Sequence, residues 1–154
     1  MKIIQLCAID QTMKIFLNPL NKQLMNECFD VICVCSKGPY TEELKREGLN
    51  IINIPIERKV KLFSNIKSIY RLYKLFKSER PDVLHVHTPI ASVIGRIAAK
   101  LAKVRIVIYT AHGFYFHDNM PPIKYKIFLN IEKYMAKHFT DFIFTQSEED
   151  RLTA

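Results

Sequence analysis

Histidine is the residue type in this chain best suited to chemistry near neutral pH, and four of its five histidines fall in two short runs. DVLHVHTPIASVIGR, Asp82 to Arg96, sets His85 and His87 two positions apart in an apolar stretch, and YTAHGFYFHD, Tyr109 to Asp118, surrounds His112 and His117 with aromatic rings. An imidazole is costly to bury unless its ring nitrogens find partners, and in its neutral form it donates at one nitrogen and accepts at the other. His-x-His is also a metal-ligand spacing, but a catalytic zinc wants a third protein ligand, and only His112, His117 or Asp118 could supply it. No metal is therefore expected. Cys33-x-Cys35 has no second pair and reads as apolar packing. Serine hydrolysis lacks a G-x-S-x-G elbow, and the first strand leads into IDQTMK where a dinucleotide fingerprint would need G-x-G-x-x-G. What remains is hydrogen bonding to hydroxyls or phosphates beside an aromatic wall.

The elements that must position these residues are legible as alternation. KIIQLCAI, FDVICVC, LNIINIPI, PDVLHVH, VRIVIYT and DFIFTQS are short apolar or β-branched runs, the pattern of strands buried on both faces. Between them the helical period appears over Ile15 to Glu27, Tyr40 to Glu47, Leu62 to Ser78, Ala91 to Leu101 and Pro122 to Lys137. In the third of these, Leu62, Ile66, Ile69, Tyr73 and Phe76 are expected on one buried stripe. The fold class is α/β: a doubly wound, mostly parallel sheet of about six strands in one domain over residues 1–154. The first apolar run is too short and has no cleavage site, so it reads as a strand and not as a signal peptide. Four cysteines without an export signal read as reduced thiols of a cytosolic protein.

Such sheets place their sites beyond the C-terminal ends of the strands. The residues leaving those ends are Asp10, Gln11 and Thr12, then Lys37 and Gly38, then His85 to Pro89, then Ala111 to His117, and finally Ser147. His85 and His87 share one face of their strand, with His87 nearer the mouth as a ligand contact and His85 beneath it as a hydrogen-bonded support. Gly113 permits a tight turn after His112. Phe114, Tyr115 and Phe116 either wall a pocket for a sugar-like ring or plug the end of the sheet, and His117 adds a donor or acceptor. Thr88 is expected to bond a ligand hydroxyl or phosphate, Gly95 to permit close helix–sheet packing, and Arg96 to support the site by pairing with phosphate or to lie in solvent.

The charge is local. Lysines and arginines exceed acids by 23 to 15, and Glu57 to Arg80 alone holds eight basic and two acidic residues, or +6 of the net +8. Lys67, Arg71 and Lys74 share a helix face, preceded by Arg58, Lys59 and Lys61, and Lys126, Lys133 and Lys137 repeat the theme. No aromatic-interleaved pattern accompanies them, so nucleic acid is not expected. An anionic membrane surface is the expected partner of Lys67, Arg71 and Lys74.

Taken in order, PDVLHVHTPIASVIGRIAAK, VIYTAHGFYFHD and IEKYMAKHFTDFIFTQSEED resemble the N-terminal domain of family 4 glycosyltransferases with the GT-B fold, in the subgroup that builds capsule and exopolysaccharide. The resemblance spans nearly the whole chain. It implies a Rossmann-like, acceptor-binding half of a retaining, metal-independent transferase, which takes a nucleotide sugar as substrate and uses no cofactor. The acceptor would be a saccharide, polyprenyl-linked in this subgroup and met at the inner face of the cell membrane. The family's cleft histidine maps onto His112 as the catalytic residue, and its acceptor-side loops map onto Asp10 to Lys14 and His87 to Pro89. DQTMK stands where many members carry a Gly-Gly loop, so backbone contact with phosphate at Thr12 and Met13 is not expected. The donor-binding domain lies outside these 154 residues. The chain alone is expected to be inactive, either completed by a second chain or acting as a non-catalytic partner or membrane-binding module.

Overall fold

A computed structural model of the chain describes residues 1–58, 61–114, 116 and 120–146. The six apolar runs form one sheet: β1 (Lys2–Ile9), β2 (Asp30–Ser36), β3 (Asn50–Asn53), β4 (Val83–His87), β5 (Ile106–Ala111) and β6 (Phe142–Thr145). All pairings are parallel, in the order β3-β2-β1-β4-β5-β6. The strand order reverses between β1 and β4, which pair Ile3 with Val83 and Gln5 with His85. That reversal opens a crevice at the C-terminal ends of these two strands, the usual ligand position of such sheets.

Each face of the sheet has its own core, as parallel strands covered on both sides require. On one face Ile4, Leu6, Val34, Leu84 and Val86 pack against α4 (Leu62–Glu79) and α5 (Pro89–Ala102) through Leu72, Phe76, Ile94 and Ala98. On the other, Cys7, Cys33 and Cys35 pack against Met13, Leu17 and Leu44. Met13 and Leu17 come from a π-helical stretch (Met13–Leu17) that links α1 (Asp10–Thr12) to α2 (Asn18–Asn26), and Leu44 comes from α3 (Thr41–Arg46). Burial drives the Cys33 thiol up to about 12, so it stays protonated and inert.

α5 lies so close to the sheet that a Cβ on Gly95 would stand 2.4 Å from Leu6 Cδ2 and 3.0 Å from Val86 Cγ1. Only glycine admits that approach. α6 (Pro122–Phe139) joins α5 through Arg96, which is completely buried. Its guanidinium donates to Glu132 at 2.8 and 3.2 Å, to Thr140 Oγ1 and to Ser92, and lies 4.5 Å from the Tyr109 ring centroid. Arg96 is therefore neither a phosphate ligand nor solvated, because every direction its fork points is occupied by protein.

Three boundaries differ from the sequence expectation. Helix starts at Asp10 and not Ile15, because β1 ends directly on a helical turn. Ala111, expected just beyond the fifth strand, is the last residue of β5. On α4 the buried residues are Ser68, Leu72 and Phe76, while Leu62 and Ile66 are exposed. The apolar stripe of that helix is wider than the sheet can cover.

Candidate functional site

Three neighbouring strands bring polar side chains to the same face. Gln5 on β1 pairs in register with His85 on β4, and His87 pairs with Thr110 on β5. Side chains alternate along a strand, so Gln5, His85 and His87 point away from the core formed by Leu6, Leu84 and Val86. His85 Nε2 lies 2.7 Å from Thr110 Oγ1, and the His85 and His87 rings are stacked obliquely, 4.1 Å between centroids. His87 Nε2 lies 2.9 Å from Gln5 Oε1, and its Nδ1 lies 3.1 Å from His112 Nε2. Phe16, from the π-helical stretch, places its exposed ring 5.7 Å from that of His112.

His87 is only 1 % exposed, and both its nitrogens are engaged within the protein. The expectation that it touches a ligand directly is thus corrected: it stands behind His112. Burial, followed by the nearby His85 and His112, lowers its pKa to about 2, and burial lowers His85 to about 4. Both are neutral rings at physiological pH, each with one N–H and one lone pair to place.

Asp10 also sits deeper than expected. Its carboxylate accepts from Tyr40 N–H at 2.8 Å and Thr41 Oγ1 at 3.1 Å, and Gly38 packs so tightly on it that a Cβ would meet Oδ1 at 2.3 Å. Asp10 fastens the turn after β2 to the end of β1, which is a structural and not a ligand-facing role.

The crevice itself is a cavity of ≈ 320 Å³ lined by Ala8, Ile9, Thr12, Arg58, Thr88, Pro89, Ile90 and Phe114. Thr12, Thr88 and Phe114 thus stand where the sequence places them, and Arg58 joins them as the cation of the wall. Thr88 has φ 64° and ψ 142°, a strained conformation for a β-branched residue. Its Oγ1 accepts from Ala8 N–H at 3.2 Å, and its carbonyl accepts from Ser92 N–H at 2.8 Å to open α5. This turn fixes the start of α5 across the mouth of β1. Gly113 has φ 103°, which lets the chain turn from His112 into Phe114. Phe114 stacks on Phe116 with centroids 5.0 Å apart. Phe114 faces the cleft, whereas Phe116 is 7 % exposed and belongs to the core. Each alternative for the aromatic loop therefore holds for one ring. Lys59, Tyr115, His117, Asp118 and Ser147 lie outside the described residues.

Sequence reasoning overlooked Gln5, Thr110 and Phe16. For Gln5 the signal was available, since a single carboxamide within the buried run KIIQLCAI requires a polar partner.

Comparison with known proteins fits this geometry. The pattern of the glycosyl transferase 4-like family matches residues 5–147. The chain is 34 % identical over 131 residues to the UDP-Gal:alpha-D-GlcNAc-diphosphoundecaprenol alpha-1,3-galactosyltransferase of Escherichia coli, covering 84 % of this chain and 34 % of that enzyme. It is 32 % identical over 120 residues to the capsular polysaccharide biosynthesis glycosyltransferase CapM of Staphylococcus aureus, covering 78 % of this chain and 31 % of CapM. Among solved structures, Anabaena Alr3699/HepE in complex with UDP and glucose superposes with a TM-score of 0.74 at 15 % identity, over 99 % of this chain and 40 % of that one. A UDP-N-acetylglucosamine 2-epimerase does so at 0.72 and 18 %, over 99 % and 44 %. These two likenesses speak for the fold alone. The chain spans about a third of the length of these two curated relatives. With a family pattern running from β1 past β6 and a crevice at the switch point of the sheet, the chain belongs to the glycosyl transferase 4-like family.

Proposed function

We propose that the chain is the acceptor-side half of a retaining GT-B glycosyltransferase, moving a sugar from a nucleotide sugar to a lipid-linked saccharide in surface-polysaccharide synthesis. The observation that carries this reading is the cleft at the β1–β4 switch point, which Thr12, Arg58, Thr88 and Phe114 line. A small cleft with an aromatic wall, two hydroxyls and one cation suits a saccharide carrying phosphate. The Escherichia coli relative is named for transfer onto a diphosphoundecaprenol-linked sugar. Pro89 and Ile90 line both the cleft and an apolar pocket of ≈ 160 Å³ between α4, α5 and α6, so a saccharide at the rim would lie beside apolar surface suited to a lipid tail. His112 is the catalytic residue of this reading, facing the transferred sugar. No metal takes part.

A donor-binding domain supplies the opposite wall, in the same polypeptide or from a second chain. Holding both reactants in line is worth as much as ~7–11 kcal/mol, which one wall cannot provide. Incubating the chain with a nucleotide sugar and a polyprenyl-diphosphate saccharide, alone and with a donor-binding domain added, should give transfer only in the second mixture. The product should keep the anomeric configuration of the donor, and His112→Ala should lower kcat by about a hundredfold or more. Near-normal turnover of that variant removes His112 from its role, and failure of the chain to bind the saccharide removes the acceptor-side reading.

The exposed face of α4 favours membrane contact. Leu62, Phe63, Ile66 and Tyr70 are each more than half exposed, and Lys67, Arg71 and Lys74 continue the same outer face. α6 repeats the arrangement with Ile123, Ile127 and Tyr134 beside Lys124, Lys126 and Lys133. Apolar and basic residues on one helix face form an interfacial surface. The chain would thus work peripherally, on the cytoplasmic side of an anionic membrane. No helix among the described residues is long and apolar enough to cross it.

A further inference from the structure

Gln5, His87 and His112 form one hydrogen-bonded chain whose two outer ends have no partner among the described residues. Gln5 is completely buried, and its Nε2 is unbonded. At the other end, His112 Nδ1 is shielded and without a partner among the described residues. Between them every nitrogen is engaged, at 2.9 Å from Gln5 to His87 and 3.1 Å from His87 to His112. An unpaired buried polar atom at each end of a connected chain calls for an explanation.

We propose that Gln5 is a positioning residue that sets the tautomer of His112 through His87, leaving His112 Nδ1 as a bare, shielded acceptor. The direction of the chain follows from its first atom. The carboxamide oxygen of Gln5 only accepts, so His87 carries its proton on Nε2 and leaves Nδ1 as an acceptor. His112 must then donate from Nε2, which leaves its own Nδ1 unprotonated. Turning the carboxamide over would reverse every bond and make His112 Nδ1–H a donor. Gln5 therefore decides which polarity of partner His112 takes. His87 is suited to transmit this choice, because its burial keeps the ring neutral with a single proton to place.

The inference rests on the reading of His112 as sugar-facing for its consequence, but its test is independent of catalysis. Long-range 1H–15N correlation spectra of the 15N-labelled chain at pH 7 should show His87 and His112 each protonated on Nε2, with Nδ1 bare. Gln5→Leu should abolish the single tautomer at His87 and change that of His112, two links away. Gln5→Glu, whose ionised carboxylate can only accept, should restore the wild-type pattern. A proton on His112 Nδ1 in the wild type overturns the proposal, as does a folded Gln5→Leu with both tautomers unchanged. If Gln5→Leu does not fold, Gln5→Met keeps the length and takes its place, and the wild-type spectrum decides on its own. The expected tautomers without any shift of His112 Nδ1 on adding saccharide and nucleotide sugar to the chain together with a donor-binding domain would uphold the Gln5 lock while removing the sugar-facing reading.

Discussion

Two imidazoles held neutral, His87 buried and His85 half-buried, couple the stability of this molecule to acid. Burial lowers the pKa of His85 from 6.5 to about 4 and that of His87 to about 2. Between pH 6.5 and those values the unfolded chain binds protons that the folded chain refuses, so stability rises with pH across the window. The contribution is whole above pH 6.5 and drains away as pH falls toward 4. On the order of 4 kcal/mol, about 2 from each ring, should be lost between pH 7 and pH 5, read from urea midpoints. The Glu47 carboxylate does not confuse that interval. Glu47, lowered to about 2 by its bonds with Lys14, Lys22 and Asn18, titrates below it. A flat profile from pH 7 to 5 would show that the histidine pair is hydrated in the native state. At this scale the sequence was only half informative. Strand alternation put His85 and His87 on one face, but alternation does not reveal which layer covers that face, so His87 was placed one shell too far out. Asp10 was misplaced for the same reason: its neighbours, Gly38, Tyr40 and Thr41, come from a loop about thirty residues away.

Among the elements, α5 is the one on which the site depends. It begins at the strained Thr88, presses Gly95 onto β1 and β4, and is tied to α6 by a buried ion pair. Glu132→Ala would leave the guanidinium of Arg96 buried without its countercharge, at a cost of about 3–5 kcal/mol. Replacing both partners by apolar residues, as in Arg96→Met with Glu132→Leu, should recover most of that loss. Urea unfolding of the single and double variants separates the two effects, and additive losses would mean that the pair is not coupled. The six strands and five of the helical segments were legible because continuous apolar runs and the helical period are strong signals. The pairing of Arg96 with Glu132 was not, since two residues 36 positions apart carry no periodic relation. Nor did α4 disclose which part of its broad apolar face turns inward, because Leu62 and Ile66 have the same spacing as the residues that the sheet covers.

At the scale of the whole molecule, α4 and α6 each carry both basic and exposed apolar residues. Phe63 is 89 % exposed between Leu62 and the basic row of α4. At ~1 kcal/mol per basic residue near an anionic surface, Lys67, Arg71 and Lys74 together supply ~3 kcal/mol, or about a hundredfold in partitioning. Converting the three to glutamine should cut co-sedimentation with phosphatidylglycerol-containing vesicles by about that factor, with little binding to neutral vesicles in either case. Binding should also weaken as salt is raised. Equal sedimentation of variant and wild type would assign the surface to some other partner.

The place of β1 in the sheet constrains the order in which the molecule can assemble. Its ladder is completed on one side by β2, about 28 residues later, and on the other by β4, about 80 residues later. During synthesis, β1 to β3 and their helices therefore exist for a time as half a sheet, with the inner edge of β1 unpaired and Ile4 and Leu6 lacking the cover of α5. Non-local parallel pairing of this kind is slow and leaves open strand edges exposed to neighbouring chains. Nascent chains of this protein should thus be most dependent on chaperones until His112 has left the ribosome, at which point α5, β5 and the histidine cluster can close on the middle of the sheet.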